Sequence, residues 1–243
     1  MRSPRLAAAL TMALALGAAP FAHADWTGRG ELGASFASGN SENEAVNAAL
    51  EMKWTGDRWS HIAGFAGNYG ADGNATTAER WELRGQSNYN ISDRTYWFGA
   101  GRYDDDRFSA FDLQSSLATG LGYRLFDTET NKLWVQAGPG YRYSKLRESG
   151  RSESEFIVRG DLGWDYQLTE TTKIVERFLV EAGSDNTYLQ NDLGLQVTVT
   201  GGLGLRIGYQ VRYNTDVPPR MGNDPRIRKT DTLLTAGIIY ERK

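Results

Sequence analysis

The stretch LGLRIGYQVRYN, residues 203–214, alternates apolar and polar side chains along its whole length. Leucine, isoleucine, tyrosine and valine occupy the odd-numbered positions, and glycine, arginine, glutamine and asparagine occupy the even-numbered ones. Because successive side chains of a β-strand point to opposite faces, this alternation predicts a strand with one apolar and one polar face. An amphipathic helix would instead repeat its apolar residues every three or four positions.

The same alternation recurs through the chain and is clear again in residues 46–54 and 189–199. Several predicted strands reach the ten or so residues that cross a bilayer at a tilt, whereas strands of soluble sheets average about five or six. We therefore expect an all-β protein, a transmembrane antiparallel β-barrel of about twelve strands, an even number as in bacterial barrels. The predicted strands are residues 26–38, 43–54, 59–70, 79–91, 95–106, 111–126, 132–145, 153–168, 172–183, 187–199, 202–214 and 230–242.

The first 24 residues have the composition of a secretory signal peptide. Arg2 and Arg5 precede an apolar run at 6–17, and Ala22-His23-Ala24 supplies a cleavage site before Asp25. The apolar run is too short for a membrane-spanning helix. We expect residues 1–24 to be removed and residues 25–243 to form one barrel domain in the outer membrane of a Gram-negative cell.

Charge and cysteine content exclude other classes of protein. The formal net charge is −3, and without Arg2 and Arg5 it becomes −5, which is too acidic for a protein that must neutralise nucleic-acid phosphates. The chain contains no cysteine, so it forms no disulfide and has no residue that a lipoprotein could acylate. Nucleic acid is therefore not an expected partner.

Connections between the predicted strands alternate between tight turns and longer polar loops. In bacterial barrels short turns face the periplasm and long loops face outside. The predicted turns are 55–58, 92–94, 169–171 and 200–201, and the loops are 71–78, 146–152 and 215–229. Aromatic residues near the short turns predict an interfacial girdle of Trp54, Trp59, Tyr89, Tyr96, Trp164 and Tyr166. The alternative is a soluble β-sandwich whose core these rings would fill.

Five stretches resemble one known family. They are residues 26–33 (WTGRGELG) with 37–41 (ASGNS), residues 103–108 (YDDDRF), and residues 213–219 (YNTDVPP) with 229–233 (KTDTL). These are similar to the salt-induced outer-membrane proteins of the YdiY type, and the resemblance spans essentially the mature chain. It implies an outer-membrane barrel whose production is linked to salt, in a family of unknown biochemical role. It supplies no site residues.

The resemblance also bears on partners. Barrels of this class usually finish on an aromatic residue that the insertion machinery reads, whereas here Tyr240 is followed by residues 241–243 (ERK). Gly237 and Tyr240 keep the general shape of that signal. The expected partners are outer-membrane lipid, lipopolysaccharide and the barrel-insertion machinery.

The polar phase of the strands predicts the side chains that line the lumen. A Lys or Arg on the lipid face costs about 2–4 kcal/mol at the midplane, which directs these groups inward. Their mixed signs fit a salt-bridged plug, which we favour, or a narrow aqueous path. The predicted lumen residues are Arg29, Glu31, Glu51, Lys53, Glu82, Arg84, Arg102, Arg124, Arg142, Arg159, Asp161, Asp165, Arg206 and Arg212.

Two short motifs suggest ligands only weakly. Residues 28–33 (GRGELG) fit a dinucleotide-binding fingerprint, which needs a buried strand before it and a helix after it. The acidic run 104–106 could gather a hard cation, including one that bridges lipopolysaccharide, but adjacent residues of an extended chain alternate sides. We expect a solvated loop mouth at 104–106, and no cofactor or metal.

Catalysis has one candidate base, since His61 is the single histidine of the mature chain. It is in phase with Trp59, Phe65 and Tyr69, which places it on the lipid side near the periplasmic rim, and no serine-hydrolase signature surrounds it. We expect a structural, stress-adaptive envelope protein without enzymatic activity. A small-solute or ion channel is the first alternative, and a hydrolase using His61 or paired carboxylates is the second.

Overall fold

A computed structural model describes residues 25–38, 43–72, 75–147, 149–217 and 229–242, so the predicted signal peptide lies outside the described residues. These residues form twelve β-strands, and they include no helix that could span a membrane. The strands are β1 (Asp25–Ser38), β2 (Asn43–Thr55), β3 (Trp59–Asp72), β4 (Ala75–Asn90), β5 (Thr95–Asp106), β6 (Phe111–Asp127), β7 (Asn131–Leu146), β8 (Ser152–Gln167), β9 (Thr172–Gly183), β10 (Thr187–Thr200), β11 (Leu203–Asn214) and β12 (Thr230–Arg242).

Every strand pairs antiparallel with the strand before and after it, and β1 pairs with β12 to close the barrel. The closing register places Gly33 opposite Gly237 and Phe36 opposite Leu234. The strands contain 12 to 17 residues, which is long enough to cross a bilayer at a tilt. Closure matters because a free strand edge would leave unbonded backbone groups in hydrocarbon. The predicted fold is confirmed.

One predicted loop is wrong. In place of the long polar loop expected at 71–78, β3 continues to Asp72 and β4 begins at Ala75. The ladder passes a register shift at Gly70 and continues through the pair of Ala71 and Thr76. At a barrel rim water contacts both faces of a hairpin, so strand pairing can continue where the apolar alternation has stopped. The other predicted strand ends agree with the structure within two residues.

The two faces of the wall differ sharply in exposure. Leu205 on the outer face is 55% exposed, whereas the next residue, Arg206, is 6% exposed on the inner face. Other outward apolar side chains are equally bare, including Leu117 and Phe156. A soluble sandwich would cover such side chains with a second sheet. The outer face is therefore suited to contact with the hydrocarbon of a membrane.

An aromatic girdle lies on the outer face near the short turns. The Trp59 ring is 5.0 Å from the Tyr89 ring and 6.4 Å from the Trp97 ring, centroid to centroid. In the adjacent turn, a guanidinium nitrogen of Arg58 donates a hydrogen bond to the Tyr89 hydroxyl at 3.1 Å, which raises the pKa of Arg58. Tryptophan and tyrosine suit this position because they have an apolar body and a polar tip.

The assignment of Tyr96 to this girdle is wrong. Tyr96 is buried inside the barrel, where its hydroxyl donates to Gln136 Oε1 at 3.2 Å, and the exposed ring at the girdle is Trp97. A strand has a period of two, so an error of one residue moves a side chain to the opposite face.

Two pairs of inward glycines mark sharp bends in the wall. A Cβ on Gly120 would lie 2.1 Å from a backbone oxygen of the neighbouring strand, and on Gly138 the distance would be 1.9 Å. Gly33 and Gly237 show the same close approach at 2.4 and 2.6 Å. The first pair joins β6 to β7 and the second joins β1 to β12, so six strands separate the two bends on either side. Any larger residue there would force the strands apart.

Candidate functional site: the charged lumen

A buried carboxylate on β9 ties several strands together inside the barrel. Glu181 is 0% exposed, and its Oε2 accepts from Arg102 Nη2 at 3.3 Å. Its Oε1 accepts from Arg159 Nη1 at 3.4 Å and from Ser116 Oγ at 2.6 Å. Arg142 Nη1 lies 3.8 Å from Oε2 and donates to the Glu181 carbonyl oxygen at 3.2 Å. These contacts join β5, β6, β7, β8 and β9 at one point.

Further carboxylates balance the arginines around Glu181. Asp161 accepts two hydrogen bonds from Arg159, at 2.9 and 2.8 Å. Glu155 accepts from Arg142 at 2.6 Å. These ion pairs offset much of the free energy that the charges lose when they leave water, whereas an unpaired buried charge would have no such compensation. In the half of the lumen formed by β5–β9, the charges of these buried side chains therefore neutralise one another.

The network continues towards the end of the barrel that carries the predicted long loops. Arg102 pairs with Asp104 at 3.3 Å and its guanidinium lies 4.5 Å from the centre of the Tyr188 ring. Asp104 also pairs with Arg80, whose guanidinium is 3.8 Å from Asp106. The expected solvated mouth at 104–106 is thus wrong for Asp104, which is buried in ion pairs. Arg102 precedes Asp104 by two residues and shares its face, so the local sequence could have indicated this pair, whereas Arg80 lies on β4.

The other half of the lumen contains a cavity of about 160 Å³. It is bounded by residues of β1–β4 and β9–β12. Arg206 pairs there with Glu31 at 3.3 Å and with Asp192 at 2.5 Å, and Arg84 pairs with Glu51 at 2.5 Å. The charged residues lining the cavity are Arg29, Glu31, Glu51, Arg80, Glu82, Arg84, Arg177, Asp192 and Arg206.

Inward glycines make room for the arginines of the cavity. A Cβ on Gly64 would lie 2.5 Å from Arg84 Nε, and a Cβ on Gly208 would lie 2.5 Å from Arg206 Nη1. Gly194 lies as close to the same guanidinium of Arg206, at 2.7 Å. The arginines thus lie flat against the wall, which keeps space free in front of them.

The structure places the predicted lumen residues in distinct groups. Four contact the Glu181 network: Arg102, Arg142, Arg159 and Asp161. Six line the cavity: Arg29, Glu31, Glu51, Glu82, Arg84 and Arg206. Arg212 pairs with Asp106 at 3.3 Å, and Asp165 pairs with Arg177 at 2.6 Å. Arg124 lies apart near the short turns, where it donates to Asn90 Oδ1 at 2.7 Å and covers the Tyr96 ring.

Sequence reasoning missed Arg80 and Glu181. Arg80 has the same phase as Glu82 and Arg84, so the alternation alone could have identified it. Glu181 was harder to find because β9 carries charge on both faces. On that strand Glu176 has the outward phase and accepts a hydrogen bond from Asn191 of β10.

His61 lies on the outer face within the girdle, as its phase predicts. Its ring stacks on Trp54 at 5.2 Å and on Trp59 at 5.9 Å, and its Nδ1 shares a hydrogen bond of 2.8 Å with Ser87 Oγ. Within the described residues its observed contacts include no carboxylate that would orient the ring as in a catalytic triad. The described part of the chain also has no group of three potential metal ligands.

The closed antiparallel wall, its bare apolar belt and its charged interior define a transmembrane β-barrel of the outer-membrane type. Residues 30–241 match the family described as "Protein of unknown function, DUF481", and the chain belongs to this family. It is 27% identical over 199 residues to the "Uncharacterized protein YdiY" of Escherichia coli strain K12, covering 81% of this chain and 77% of that protein. The resemblance to the YdiY type is confirmed.

Solved structures share the fold at low sequence identity. The NanC porin structure has a TM-score of 0.57 and 13% identity, covering 87% of this chain and 98% of that one. The translocator domain of the autotransporter NalP from Neisseria meningitidis has a TM-score of 0.50 and 14% identity, covering 97% and 94%. At such identities the likeness concerns the fold alone.

Proposed function

We propose that this protein is a structural, stress-adaptive barrel of the outer membrane whose lumen is largely closed by ion pairs. The observation that carries this proposal is the burial of Glu181 among Arg102, Arg142 and Arg159. A water path through that half of the lumen would require these groups to separate. The stress-adaptive part of the proposal rests on the resemblance of the sequence to salt-induced outer-membrane proteins.

The contacts around Glu181 favour a rigid closure over a gate. Breaking a buried ion pair by removing one partner costs about 3–5 kcal/mol, because the remaining charge stays buried. Arg142 adds a hydrogen bond to the backbone oxygen of Asn186, in the β9–β10 turn. The closure is therefore anchored to the wall and to a loop at once.

Planar-bilayer conductance tests the closure. We expect the wild-type protein to pass no steady current above the leak of the bilayer, and Glu181→Gln to raise the current because three buried arginines lose their shared carboxylate. Glu153→Gln is the matched control, since Glu153 lies in an exposed pair with Arg151 at 3.7 Å. A large steady current through the wild-type protein would contradict the closure.

A narrow channel is the second candidate function, and the cavity beside β1–β4 favours it. Arg84 faces that cavity with 51% of its side chain exposed, as a group lining a water path would. The structural relative NanC is described as a porin. If a current flows, Arg84→Gln should shift the reversal potential in a salt gradient, and Arg124→Gln should do so if the path ends near the short turns.

We propose no catalytic activity. His61, the candidate base, shares a hydrogen bond with Ser87 on the lipid face. We expect His61→Ala and Ser87→Ala to leave phospholipid and peptide hydrolysis at the wild-type level. A loss of lipid hydrolysis in both variants would make the protein an enzyme.

We further propose that residues 1–24 direct export, that the insertion machinery places the barrel in the outer membrane of a Gram-negative cell, and that lipid and lipopolysaccharide surround it. The exposed outer face supports this location. The folded protein should migrate faster unheated than boiled in detergent gels. Recovery of the processed chain in a detergent-free periplasmic extract would contradict the proposal.

A further inference from the structure

The charges around the cavity are unevenly exposed. The side chains of Arg29, Arg84 and Arg177 are 27%, 51% and 38% exposed. Two acids in the same lining, Glu31 and Glu82, are only 5% and 9% exposed. Glu51 and Asp192 are 37% and 27% exposed, but each is paired with an arginine. The three arginines therefore reach the open space of the cavity together with two carboxylates that are already paired.

The two remaining acids of the lining are occupied by arginines. Glu51 accepts from Arg84 at 2.5 Å, and Asp192 accepts from Arg206 at 2.5 Å. An arginine has five N–H donors, so a single carboxylate partner leaves several donors available. Arg84 contacts Glu51 through Nη2, and Arg177 uses Nη1 for Asp165 and for the carbonyl oxygens of Trp164 and Glu176, so other donors of both guanidinium groups remain available. Arg29 shares Glu31 with Arg206 at the longer distance of 3.7 Å.

We propose that this cavity is a binding site for small anions, held by the guanidinium groups of Arg29, Arg84 and Arg177. Guanidinium groups suit carboxylate, sulfonate and phosphate oxygens because their donors form a planar fork. The site extends the proposed function, because it needs only water access to one half of the lumen and holds whether or not a steady current passes. The half around Glu181 remains closed.

Gly64 is part of this site. Arg84 lies across it, so a Cβ at residue 64 would meet Arg84 Nε at 2.5 Å and Arg84 Cγ at 2.8 Å. Gly64→Ala should therefore displace the Arg84 side chain without changing any charge. Gly85→Ala is the matched control, since its Cβ would make only an ordinary contact at 4.0 Å on the outer face.

The absence of cysteine from the sequence permits a direct test with single introduced thiols. Ala49→Cys and Ala66→Cys place a thiol in the cavity, and Ser144→Cys places one in the buried half of the lumen. Each folded protein is treated with a negatively charged sulfonate methanethiosulfonate and with its positively charged trimethylammonium counterpart. The ratio of the two rates cancels any effect of the site on thiol ionisation, which both reagents experience equally.

We expect both cavity thiols to react, with the sulfonate reagent favoured about tenfold relative to Ser149→Cys in the outer loop. Arg29→Gln, Arg84→Gln or Gly64→Ala should each lower that preference, and sulfate should slow the sulfonate reagent. Arg151→Gln and Gly85→Ala should leave it unchanged.

The outcomes separate the two proposals. Unreactive cavity thiols, or a preference for the cationic reagent, would overturn the anion site. Rapid reaction at Ser144→Cys would instead overturn the closure around Glu181.

Discussion

Arg212 of β11 and Asp106 of β5 form an ion pair of 3.3 Å across the lumen. Their strands are separated by half of the barrel wall in either direction, so the pair connects opposite sides. Both side chains are mostly buried, and a pair in that environment is screened by salt less than one at the surface. The pair therefore acts as a strut near one mouth of the barrel.

Replacing Arg212 tests the strut. Arg212→Gln should lower the free energy of unfolding by about 2 kcal/mol, because Asp106 loses a charged hydrogen-bond partner. Asp106 then keeps the more distant Arg80 and the backbone N–H groups of Phe108 and Ser109. Unfolding in urea, followed by the gel mobility of unheated samples, measures this change. Arg151→Gln, whose side chain is 74% exposed, should change the value by less than about 0.5 kcal/mol. Equal losses of unfolding free energy in both variants would show that the pair of Arg212 and Asp106 does not stabilise the barrel.

Replacing Glu181 should have a larger effect on stability than replacing Arg212. Glu181→Gln leaves Arg102, Arg142 and Arg159 without their shared charge, and the expected loss is about 3–5 kcal/mol. The same denaturation assay measures it. Glu153→Gln, in an exposed pair, should be nearly neutral. A loss no larger than that of Glu153→Gln would mean that the network contributes little to folding.

The glycine bends give a prediction about the wall itself. Gly120→Ala places a methyl group 2.1 Å from a backbone oxygen of β7 and should destabilise the barrel by about 3 kcal/mol. Gly30→Ala, where a Cβ meets nothing within 4 Å, should change stability by less than about 1 kcal/mol. Refolding yield into detergent micelles compares the two. Similar yields would show that the wall relaxes at the bend.

A substitution on the outer face tests whether this face contacts lipid. Leu205→Arg should cost about 2–4 kcal/mol in lipid vesicles, because the new charge would face hydrocarbon. Leu205→Met keeps the position apolar and should cost less than about 1.5 kcal/mol. Reversible unfolding from vesicles measures both variants. If Leu205→Arg were harmless, the outer face would not contact lipid.

The sequence predicts the wall better than the lumen, for physical reasons. The extent of each strand and the face of each side chain follow from alternation, because lipid on one side requires apolar residues at every second position. Alternation by itself is enough to show that Arg206 and Leu205 face opposite ways. It fails at the rims, as at residues 71–78, where water contacts both faces and the alternation no longer reports strand pairing.

Contacts within the lumen depend on which strands lie across from each other. Arg102 and Glu181 are 79 residues apart in sequence and meet only because the barrel brings β5 close to β9. Alternation assigns Arg102 to the inner face but holds no information about its distance from Glu181. Asp104 shows both cases, because its pair with Arg102 joins residues two apart on one strand, whereas its pair with Arg80 depends on the register between β4 and β5.

Because β1 pairs with β12, the barrel can close only after the last strand has been synthesised. Until β12 (Thr230–Arg242) has been synthesised, one edge of β1 has backbone amide and carbonyl groups without their hydrogen-bond partners. Unpaired backbone groups of this kind can hydrogen-bond to strands of other chains and aggregate. They are also too costly to insert into a bilayer without hydrogen-bond partners. A chain that lacks the last strand would therefore leave the barrel open between β1 and β11.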